Sequence, residues 1–492
     1  MSAAEPLLTL SNSYARLPDA CYARIEPTPV REPRLIRLNR PLAAELGLDA
    51  DFLTSEPGVE ILGGNRIPDG AEPLAMVYAG HQFGQWVPRL GDGRAVLLGE
   101  VVDREGRKRE IQLKGAGPTP FSRRGDGRAA LGPVLREYVV SEAMAGLGIP
   151  TTRALAMVST GEPVYRERVE QGAILTRVAA SHLRVGTFEY FHHRGEMEAI
   201  RALADYACAR LYEEAAQVDN PYRALLAGVV ERQADLIARW MLVGFIHGVM
   251  NTDNCAISGE TIDYGPCAFM DHYDPEQVFS SIDSGGRYAY HQQPGIGHWN
   301  LCRFAETLLP LLAADEESAL GAAREVLEGY PARFEASYRS GLLRKIGIRE
   351  AREGDIELAR ELLVLMAEQR ADFTLTFRRL SDPPGREGPG ARTLFAEPAA
   401  FDRWEARWKE RLAAEGASAD ERSRAMRAEN PAFIPRNHRV QAAIDAAGEG
   451  ALEPLEKLLE VVIQPYVDHP NLSEYERPPE AHEVVRQTFC GT

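Results

Sequence analysis

Lysine is scarce in this 492-residue sequence, because only Lys108, Lys114, Lys345, Lys409 and Lys457 occur among the 56 basic residues. Arginine therefore carries nearly all of the positive charge. Acidic residues number 72, which gives a net charge of −16. A protein that binds nucleic acid in general needs a basic surface. The acidic balance argues against nucleic acid as a partner, although it leaves room for a local basic pocket.

Cysteine is also sparse, and its spacing argues against a zinc site. The six cysteines are scattered, with no Cys-x-x-Cys pair and no Cys/His cluster at zinc spacing. This usage is typical of a reducing compartment. No apolar run approaches the roughly 20 residues needed to cross a bilayer, and the N-terminus lacks a basic leader followed by an apolar core. We therefore expect a cytoplasmic protein that does not associate with membranes.

The length predicts two or three structural units, and changes in pattern divide the chain into four segments. Residues 1–75 read as an irregular, partly helical N-terminal extension, and 76–190 as a β-rich lobe. Residues 191–390 read as a mainly helical lobe that ends in a Pro- and Gly-rich linker, and 391–492 as a helical C-terminal extension. We predict the α+β class, with the two-lobed layout of protein kinases and an extension at each end.

A glycine turn begins the predicted hairpin of the β-rich segment. Gly91, Gly93 and Arg94 precede an apolar strand over 95–102, and a second strand follows over 109–114. Glycines at such a turn let backbone amides approach a phosphate without a Cβ clash. Taken alone, the turn is more typical of an ordinary hairpin, and the P-loop consensus is absent.

Lys114 ends the second strand. A predicted helix over 133–147 follows and carries Glu137 and Glu142. A strand lysine paired with a helix glutamate holds nucleotide phosphates in kinases. The two glutamates lie about 140° apart around a helix, so only one can face the site. Without this context the lysine would be an ordinary solvated residue at a strand edge.

Further charges follow the hairpin. Asp126 and Gly127 lie in a Gly- and Arg-rich loop, and Arg177 and Arg184 flank a loop at the end of a strand predicted over 173–178. Two guanidinium groups could clamp a phosphate, since their forked donors match its oxygens. Each arginine alone fits a surface or structural role better.

The strongest local signal is the string HGVMNTDN (247–254), followed by Asp263 in a D-Y-G triplet. Asn254 and Asp263 supply oxygen ligands that suit Mg²⁺, and Asp253 can accept a proton from a hydroxyl nucleophile. A tight Asx turn is the alternative. The order of these elements matches a protein kinase, but a kinase separates its loop Asp and Asn by four residues, whereas here they are adjacent.

These departures, with the surrounding strings, indicate a family. The sequence closely resembles the selenoprotein O family of pseudokinase-like protein adenylyltransferases. The matching strings are YAGHQFGQWVPRLGDGRA (78–95), QLKGAGPTPFSRRGDGRA (112–129), REYVVSEAMAGLGIPTTRAL (136–155), HGVMNTDN (247–254), TIDYGPCAFMD (261–271) and NPAFIPRNH (430–438). Eukaryotic members carry selenocysteine near the C-terminus, where this chain has Cys490, so it resembles a cysteine-containing, bacterial-type member.

The resemblance implies that ATP binds flipped relative to kinases, with its γ-phosphate buried. AMP then passes to Ser, Thr or Tyr hydroxyls of proteins, and pyrophosphate is released. The implied cofactor is Mg²⁺ or Mn²⁺ at Asn254 and Asp263, with Asp253 as the base and Glu137 as the partner of Lys114. The implied nucleotide contacts are Gly91, Gly93, Arg94, Lys114, Asp126, Gly127, Arg177, Arg184 and Asp263.

The resemblance also links Cys490 to redox control, with Cys267 as one candidate disulfide partner and a lone terminal thiol as the alternative. Two other functions stay open beside adenylyl transfer. The residues alone favour a phosphotransferase, and the third possibility is a nucleotide-binding pseudokinase scaffold without catalysis. A scaffold has no need of a base and metal ligands together. The protein substrates, the choice between Mg²⁺ and Mn²⁺, the use of UTP and the oligomeric state stay open.

Overall fold

A computed structural model describes residues 8–383 and 389–488 and has the α+β composition that the sequence predicts. The strands are β1 (Tyr22–Arg24), β2 (Arg34–Leu38), β3 (Leu74–Met76), β4 (Gly80–Gln82), β5 (Gln85–Val87), β6 (Ala95–Val102), β7 (Lys108–Lys114), β8 (Ala129–Ala130), β9 (Arg153–Tyr165), β10 (Val169–Ala179), β11 (Phe245–Ile246) and β12 (Ala268–Phe269). Eight of them form one antiparallel sheet in the order β1-β3-β6-β7-β10-β9-β2, with β8 paired to β10.

Helices make up most of the remaining structure. They are α1 (Arg40–Glu45), α2 (Ala50–Thr54), α3 (Glu56–Leu62), α4 (Leu131–Gly146), α5 (Val185–His192), α6 (Met197–Leu211), α7 (Pro221–Val243), α8 (Gln293–Leu312), α9 (Glu316–Lys345), α10 (Asp355–Gln369), α11 (Phe373–Leu380), α12 (Pro398–Ala413), α13 (Ala419–Glu429), α14 (Asn437–Gly448) and α15 (Glu453–Val462). In the described ranges, none of them combines the length and the apolarity needed to span a bilayer.

The central hairpin of the sheet is formed by β6 and β7. The strand predicted over 95–102 is confirmed as β6, and the one predicted over 109–114 begins one residue earlier. Ala95 lies opposite Lys114 in the antiparallel register. The glycine turn before β6 and the lysine at the end of β7 therefore share one end of the sheet.

The N-terminal segment supplies both edges of this sheet. β1 pairs with β3, and β2 pairs with β9. Residues 8–75 thus complete the sheet as well as wrapping around it. The 13-residue strand β9 was not predicted, because Gly161 and Pro163 interrupt its sequence and both residues usually mark turns. It nevertheless pairs along much of its length with β10.

Helix α4 packs between the sheet and the C-terminal helices. Twelve of its sixteen residues are buried, in a core that includes Leu455 of α15. Its two glutamates point to different places. Glu137 contacts Lys114 at 2.6 Å, whereas Glu142 accepts a hydrogen bond of 2.8 Å from Arg153. The prediction that only one of them faces the site is confirmed.

Helix α7 ends earlier than its periodicity predicts. The apolar pattern indicated a helix over 222–247, but α7 stops at Val243 because Gly244 adopts the left-handed conformation (φ 72°) that terminates helices. The chain then enters β11, which pairs with β12. His247 therefore lies in a loop, and this loop carries the string HGVMNTDN.

The helices predicted at 300–313, 318–328 and 355–370 correspond to α8, α9 and α10. Helix α9 is much longer than predicted and continues through Pro331 to Lys345. Part of the linker predicted at 382–390 lies outside the described residues.

Candidate active site

A cluster of buried charged side chains lies at the end of β7. Lys114 donates from Nζ to Glu137 Oε2 of α4 (2.6 Å) and to Asp263 Oδ1 (2.9 Å). Arg177 of β10 donates to Glu137 Oε1 through Nε (2.9 Å) and to Asp263 Oδ1 through Nη2 (2.6 Å). The predicted lysine–glutamate pair is present, and the aspartate of the D-Y-G triplet joins it.

Arg184, just before α5, approaches the same aspartate from another side. Its Nη1 donates to Asp263 Oδ2 (2.7 Å) and to the backbone carbonyl of Asp253 (2.9 Å). Its guanidinium lies 4.6 Å from the ring centroid of Tyr78 and 3.8 Å from Asp92 Oδ1. This arginine therefore links the D-Y-G triplet to the loop that carries Asp253.

Three cations and two carboxylates meet at the centre of the cluster. Lys114, Arg177 and Arg184 face the carboxylates of Glu137 and Asp263. Burial by itself raises the pKa of Asp263, but the charges of Arg177, Lys114 and Arg184 outweigh it and hold this pKa well below its usual range. The same balance of burial against Arg177 and Lys114 lowers the pKa of Glu137. Both carboxyl groups are therefore ionised near neutral pH and pair with the three cations.

Asp253 is buried beside this cluster and is incompletely hydrogen-bonded. Its Oδ2 accepts a hydrogen bond from Gln82 Nε2 (3.1 Å), while its Oδ1 has no hydrogen-bond partner among the described residues. Burial raises the pKa of Asp253 to about 6, against the opposing effects of Gln82 and Arg184. A carboxylate with one free oxygen and this pKa is suited to accept a proton near neutral pH.

His247 holds the two arms of the loop together. It is buried, and its Nε2 donates to the carbonyl of Ile262 (2.9 Å), the residue before Asp263. Burial lowers the pKa of His247, so the ring is neutral. Asp263 itself has φ 63°, a left-handed conformation that is uncommon for a residue other than glycine. Such a conformation persists only where the surroundings hold it, and here the three cations do so.

The glycine turn lies close to this cluster. Gly115, directly after Lys114, donates to the carbonyl of Arg94 (2.7 Å), and both Gly91 and Gly93 pack against Phe121. No role was predicted from the sequence for Asp92, which lies within the turn. Asp92 is buried, and its Oδ2 accepts hydrogen bonds from the backbone of Met76 and from Gln112 (both 3.1 Å).

Asp126 and Gly127 are not in contact with the charged cluster. Gly127 accepts a hydrogen bond from Gly117 (3.0 Å) at the base of their loop, while the Asp126 carboxylate pairs with Arg166 (2.9 Å) between β9 and β10. They lie beyond Lys114 along the chain. A ligand that contacts both would have to extend from the cluster to this loop.

Asn254 and Asp263 are the two predicted metal ligands, and their side-chain oxygens could hold a divalent ion. The Asn254 amide donates from Nδ2 to the Val249 carbonyl (3.0 Å), and its Oδ1 takes no part in that hydrogen bond. In the described ranges no group of three or more His, Cys, Asp or Glu side chains has metal-binding geometry. Mg²⁺ is commonly held by one or two carboxylates together with substrate phosphates, so two protein oxygens fit a metal that arrives with a nucleotide.

Comparison with known proteins shows the family of this chain. The family model described as protein adenylyltransferase SelO matches residues 6–463. The chain belongs to the SelO family. Proteins named protein nucleotidyltransferase YdiU from Rhodopseudomonas palustris and Bradyrhizobium diazoefficiens are each 61% identical, over 485 and 483 residues and 98% of both chains. The one from Methylorubrum extorquens is 61% identical over 495 residues, 99% of both chains. The chain is therefore a member of a family of protein nucleotidyltransferases.

No functional role was predicted from the sequence for the small hairpin of β4 and β5. Its residues nevertheless belong to the string YAGHQFGQW, which was part of the resemblance to the SelO family. In the structure this hairpin lies against the loop that carries Asp253. Gly80 is so close that a Cβ atom there would lie 2.6 Å from Asp253 Oδ1, and Gln82 donates to the other oxygen. The signal in the sequence was a glycine two residues before a glutamine in an otherwise unexplained part of that string.

Cys490, the proposed redox residue of this SelO family member, lies outside the described residues. The last described residue, Thr488, donates from Oγ1 to the carbonyl of Pro266 (2.5 Å). Its backbone also forms a bridge with Ser280. The C-terminal segment therefore reaches the chain directly before Cys267.

Proposed function

We propose that this protein transfers AMP from ATP to Ser, Thr or Tyr hydroxyls of other proteins and releases pyrophosphate. The observation that carries the proposal is the convergence of three cations, Lys114, Arg177 and Arg184, on the carboxylate of Asp263. In a kinase the γ-phosphate lies next to the acceptor. Here three cations lie deep in the site, which favours a flipped ATP whose γ-phosphate is buried and whose α-phosphate faces the acceptor.

The fold that would hold ATP in this way is a kinase-like one with two lobes. Lys114 and Arg177 come from the sheet, whereas Asp253 and Asp263 come from loops next to the helical part of the chain. A nucleotide bound between these groups would contact both parts. The glycine turn at Gly91, with Gly93 and Arg94, and the loop at Asp126 and Gly127 complete the proposed nucleotide contacts.

Asp253 is the proposed base. The hydroxyl oxygen of the acceptor attacks the α-phosphorus, the bond between that phosphorus and the α–β bridging oxygen breaks, and the electron pair leaves with pyrophosphate. The hydroxyl proton passes to Asp253 Oδ1, the buried oxygen without a partner among the described residues. Gln82 keeps the other carboxylate oxygen occupied, so only one oxygen is presented to the proton.

Asn254 and Asp263 would hold a divalent metal, Mg²⁺ or Mn²⁺. When bound, this ion would neutralise charge on the nucleotide phosphates. Asp263 already contacts three cations, so its two oxygens cannot serve all of them and a metal at once. We expect Lys114, Arg177 or Arg184 to transfer part of its hydrogen bonding from Asp263 to phosphate oxygens when ATP enters.

Isotope transfer distinguishes the three candidate activities. The purified protein is incubated with a protein acceptor and either [α-³²P]ATP or [γ-³²P]ATP, with the Asp253→Ala variant as a control. Adenylyl transfer labels protein from the α position only, and a phosphotransferase labels it from the γ position only. A scaffold labels with neither. Label from the γ position that depends on Asp253 would overturn the proposal, and the same assay with [α-³²P]UTP tests the second nucleotide.

Cys490 and Cys267 are the proposed redox pair. The hydrogen bond between Thr488 and Pro266 brings the C-terminal segment to the chain beside Cys267. Oxidation joins the two thiols as a disulfide with loss of two electrons and two protons to an oxidant such as hydrogen peroxide, which is reduced to water. The bond would hold the C-terminus against the chain a few residues after Asp263 and change access to the site.

A further inference from the structure

The hairpin of β4 and β5 contacts the loop that carries Asp253 at successive residues. The hydrogen bonds run from the His81 backbone to Thr252 Oγ1 (2.8 Å), from Gln82 Nε2 to Asp253 Oδ2 (3.1 Å) and from the Phe83 backbone to Asn251 Oδ1 (3.1 Å). We call residues 80–83 the loop clamp. These three hydrogen bonds, one from each of residues 81, 82 and 83, hold the loop against the hairpin.

The loop clamp has no spare room. A Cβ atom at Gly80 would lie 2.6 Å from Asp253 Oδ1, so only glycine permits this approach. At the other end of the clamp, Phe83 has φ 52°, a backbone conformation that is an outlier for a bulky residue. Strained positions of this kind occur where surrounding contacts demand a particular geometry.

Glu189 of α5 contacts both the loop clamp and the loop that carries Asp253. Its Oε1 lies 2.6 Å from His81 Nδ1, and its Oε2 accepts a hydrogen bond from the Thr252 hydroxyl. The side chain is 3% exposed. The Thr252 hydroxyl therefore accepts from the hairpin backbone and donates to Glu189, which leaves it a single orientation directly before Asp253.

Burial raises the pKa of Glu189 to about 7 and lowers the pKa of His81. A single proton, on either Glu189 Oε1 or His81 Nδ1, is enough to form the hydrogen bond between the two side chains. The contact with His81 is therefore compatible with a neutral pair in this buried position. A glutamine at position 189 could make the same two hydrogen bonds, because its carbonyl accepts and its amide donates.

We propose that Gln82 and Glu189 are positioning residues for the transfer step, Gln82 through its hydrogen bond to Asp253 and Glu189 through Thr252. This inference rests on the proposed role of Asp253 as the base. Neither residue belongs to the proposed nucleotide-binding set. Their loss should slow the chemical step while leaving nucleotide affinity intact.

The first test compares Gln82→Met with Gln85→Met. Methionine keeps the length of the side chain but removes the donor, and Gln85 is an exposed residue of the same hairpin. A hydrogen bond to a charged group contributes enough that its loss slows a reaction by about 10- to 100-fold. We expect a kcat lower by about this factor for Gln82→Met with KM for ATP unchanged, and wild-type values for Gln85→Met.

The second test compares Glu189→Gln with Glu189→Leu. Glutamine should retain most of kcat, and leucine, which removes both hydrogen bonds at similar volume, should lower it by about tenfold. If the leucine variant does not fold, Thr252→Val removes only the hydroxyl and tests the same link, with Thr252→Ser as its conservative partner. Loss of kcat in the valine variant with recovery in the serine variant supports the proposal.

Several results would overturn it. Wild-type kcat in Gln82→Met would show that Asp253 needs no partner. Equal activity of the glutamine and leucine variants at position 189, or of serine and valine at 252, would show that the link through Glu189 is idle. A fall in kcat matched by an equal loss of ATP affinity would make the clamp structural. If the wild-type protein transfers no α-label, the proposed function fails, whereas α-transfer with a normal Gln82→Met variant refutes only the clamp.

Discussion

The substitution Asp263→Asn separates the two roles that the active-site cluster assigns to one carboxylate. Asparagine has nearly the same shape and tolerates the left-handed backbone found at this position (φ 63°), so the variant changes charge and little else. Asp263 now accepts hydrogen bonds from Lys114 (2.9 Å), Arg177 (2.6 Å) and Arg184 (2.7 Å). An amide can accept from some of these donors, but its NH₂ group must face at least one of them.

The expected loss of stability is large. Removing one partner from a buried ion pair typically costs about 3–5 kcal/mol. Without the Asp263 carboxylate, Lys114 and Arg177 keep Glu137 as a close counter-charge, and Arg184 keeps Asp92 at 3.8 Å. ATP should reverse much of this loss, because its phosphates supply the missing negative charge. We therefore expect Asp263→Asn to lower Tm without nucleotide, and ATP in the presence of EDTA to raise Tm more in the variant than in the wild-type protein.

AMP transfer, unlike stability, should not be restored by ATP. The variant lacks the charged metal ligand, so AMP transfer should be abolished with either Mg²⁺ or Mn²⁺ while ATP still binds. Thermal shift with and without ATP, together with α-³²P transfer, measures both effects. Asp103→Asn is the matched control, since Asp103 is buried and accepts from Arg107 and Arg109 (3.0 Å each) away from the site. This control should lose stability without a larger response to ATP.

Two results would refute this reasoning. Transfer by Asp263→Asn at the wild-type rate would remove Asp263 from the metal site. An ATP-induced shift no larger than that of the wild-type protein would show that the cations do not contact the phosphates.

Three further predictions concern other residues. Arg177→Ala and Arg184→Ala should each weaken ATP binding by about 10- to 100-fold and AMP binding far less by calorimetry, whereas equal losses would mean that neither arginine contacts the terminal phosphates. Burial lowers the pKa of Lys345 to about 7. Between about pH 7 and its ordinary pKa of 10.5, only the unfolded chain binds this proton, so the free energy of unfolding should rise with pH by at most about 1.4 kcal/mol per pH unit. Lys345→Met should remove that rise in urea unfolding, and an unchanged dependence on pH would contradict the prediction. Cys490→Ser should keep full α-label transfer under reducing conditions and abolish any difference between oxidised and reduced enzyme, and loss of activity when reduced would make the thiol part of turnover.

The centre of the sheet and much of the charged cluster could be predicted because the signals are local. The apolar run over 95–102 predicted β6, and the helix after the Gly-rich loop predicted α4 with one glutamate facing Lys114. The end of α7 at Val243 was missed because the apolar periodicity continues into β11, whose residues are buried for a different reason. β9 was missed because Gly161 and Pro163 within it usually mark turns. The strand is defined by its pairing with β10, which the local sequence does not show.

The sequence by itself determined the elements whose signals lie within one turn of helix or one strand. It also marked the residues of the charged cluster as candidates, and the resemblance assigned their roles. The tertiary structure alone decided how those residues meet. Gln82 and Asp253 are 171 positions apart, and no periodicity or capping rule acts over that distance. Their hydrogen bond forms because Gly80 lets the hairpin approach the loop closely. Glu189 also holds Thr252, the residue before Asp253, in place beside the hairpin. Burial then leaves Asp253 with one free oxygen, a property that belongs to the folded packing and to no residue alone.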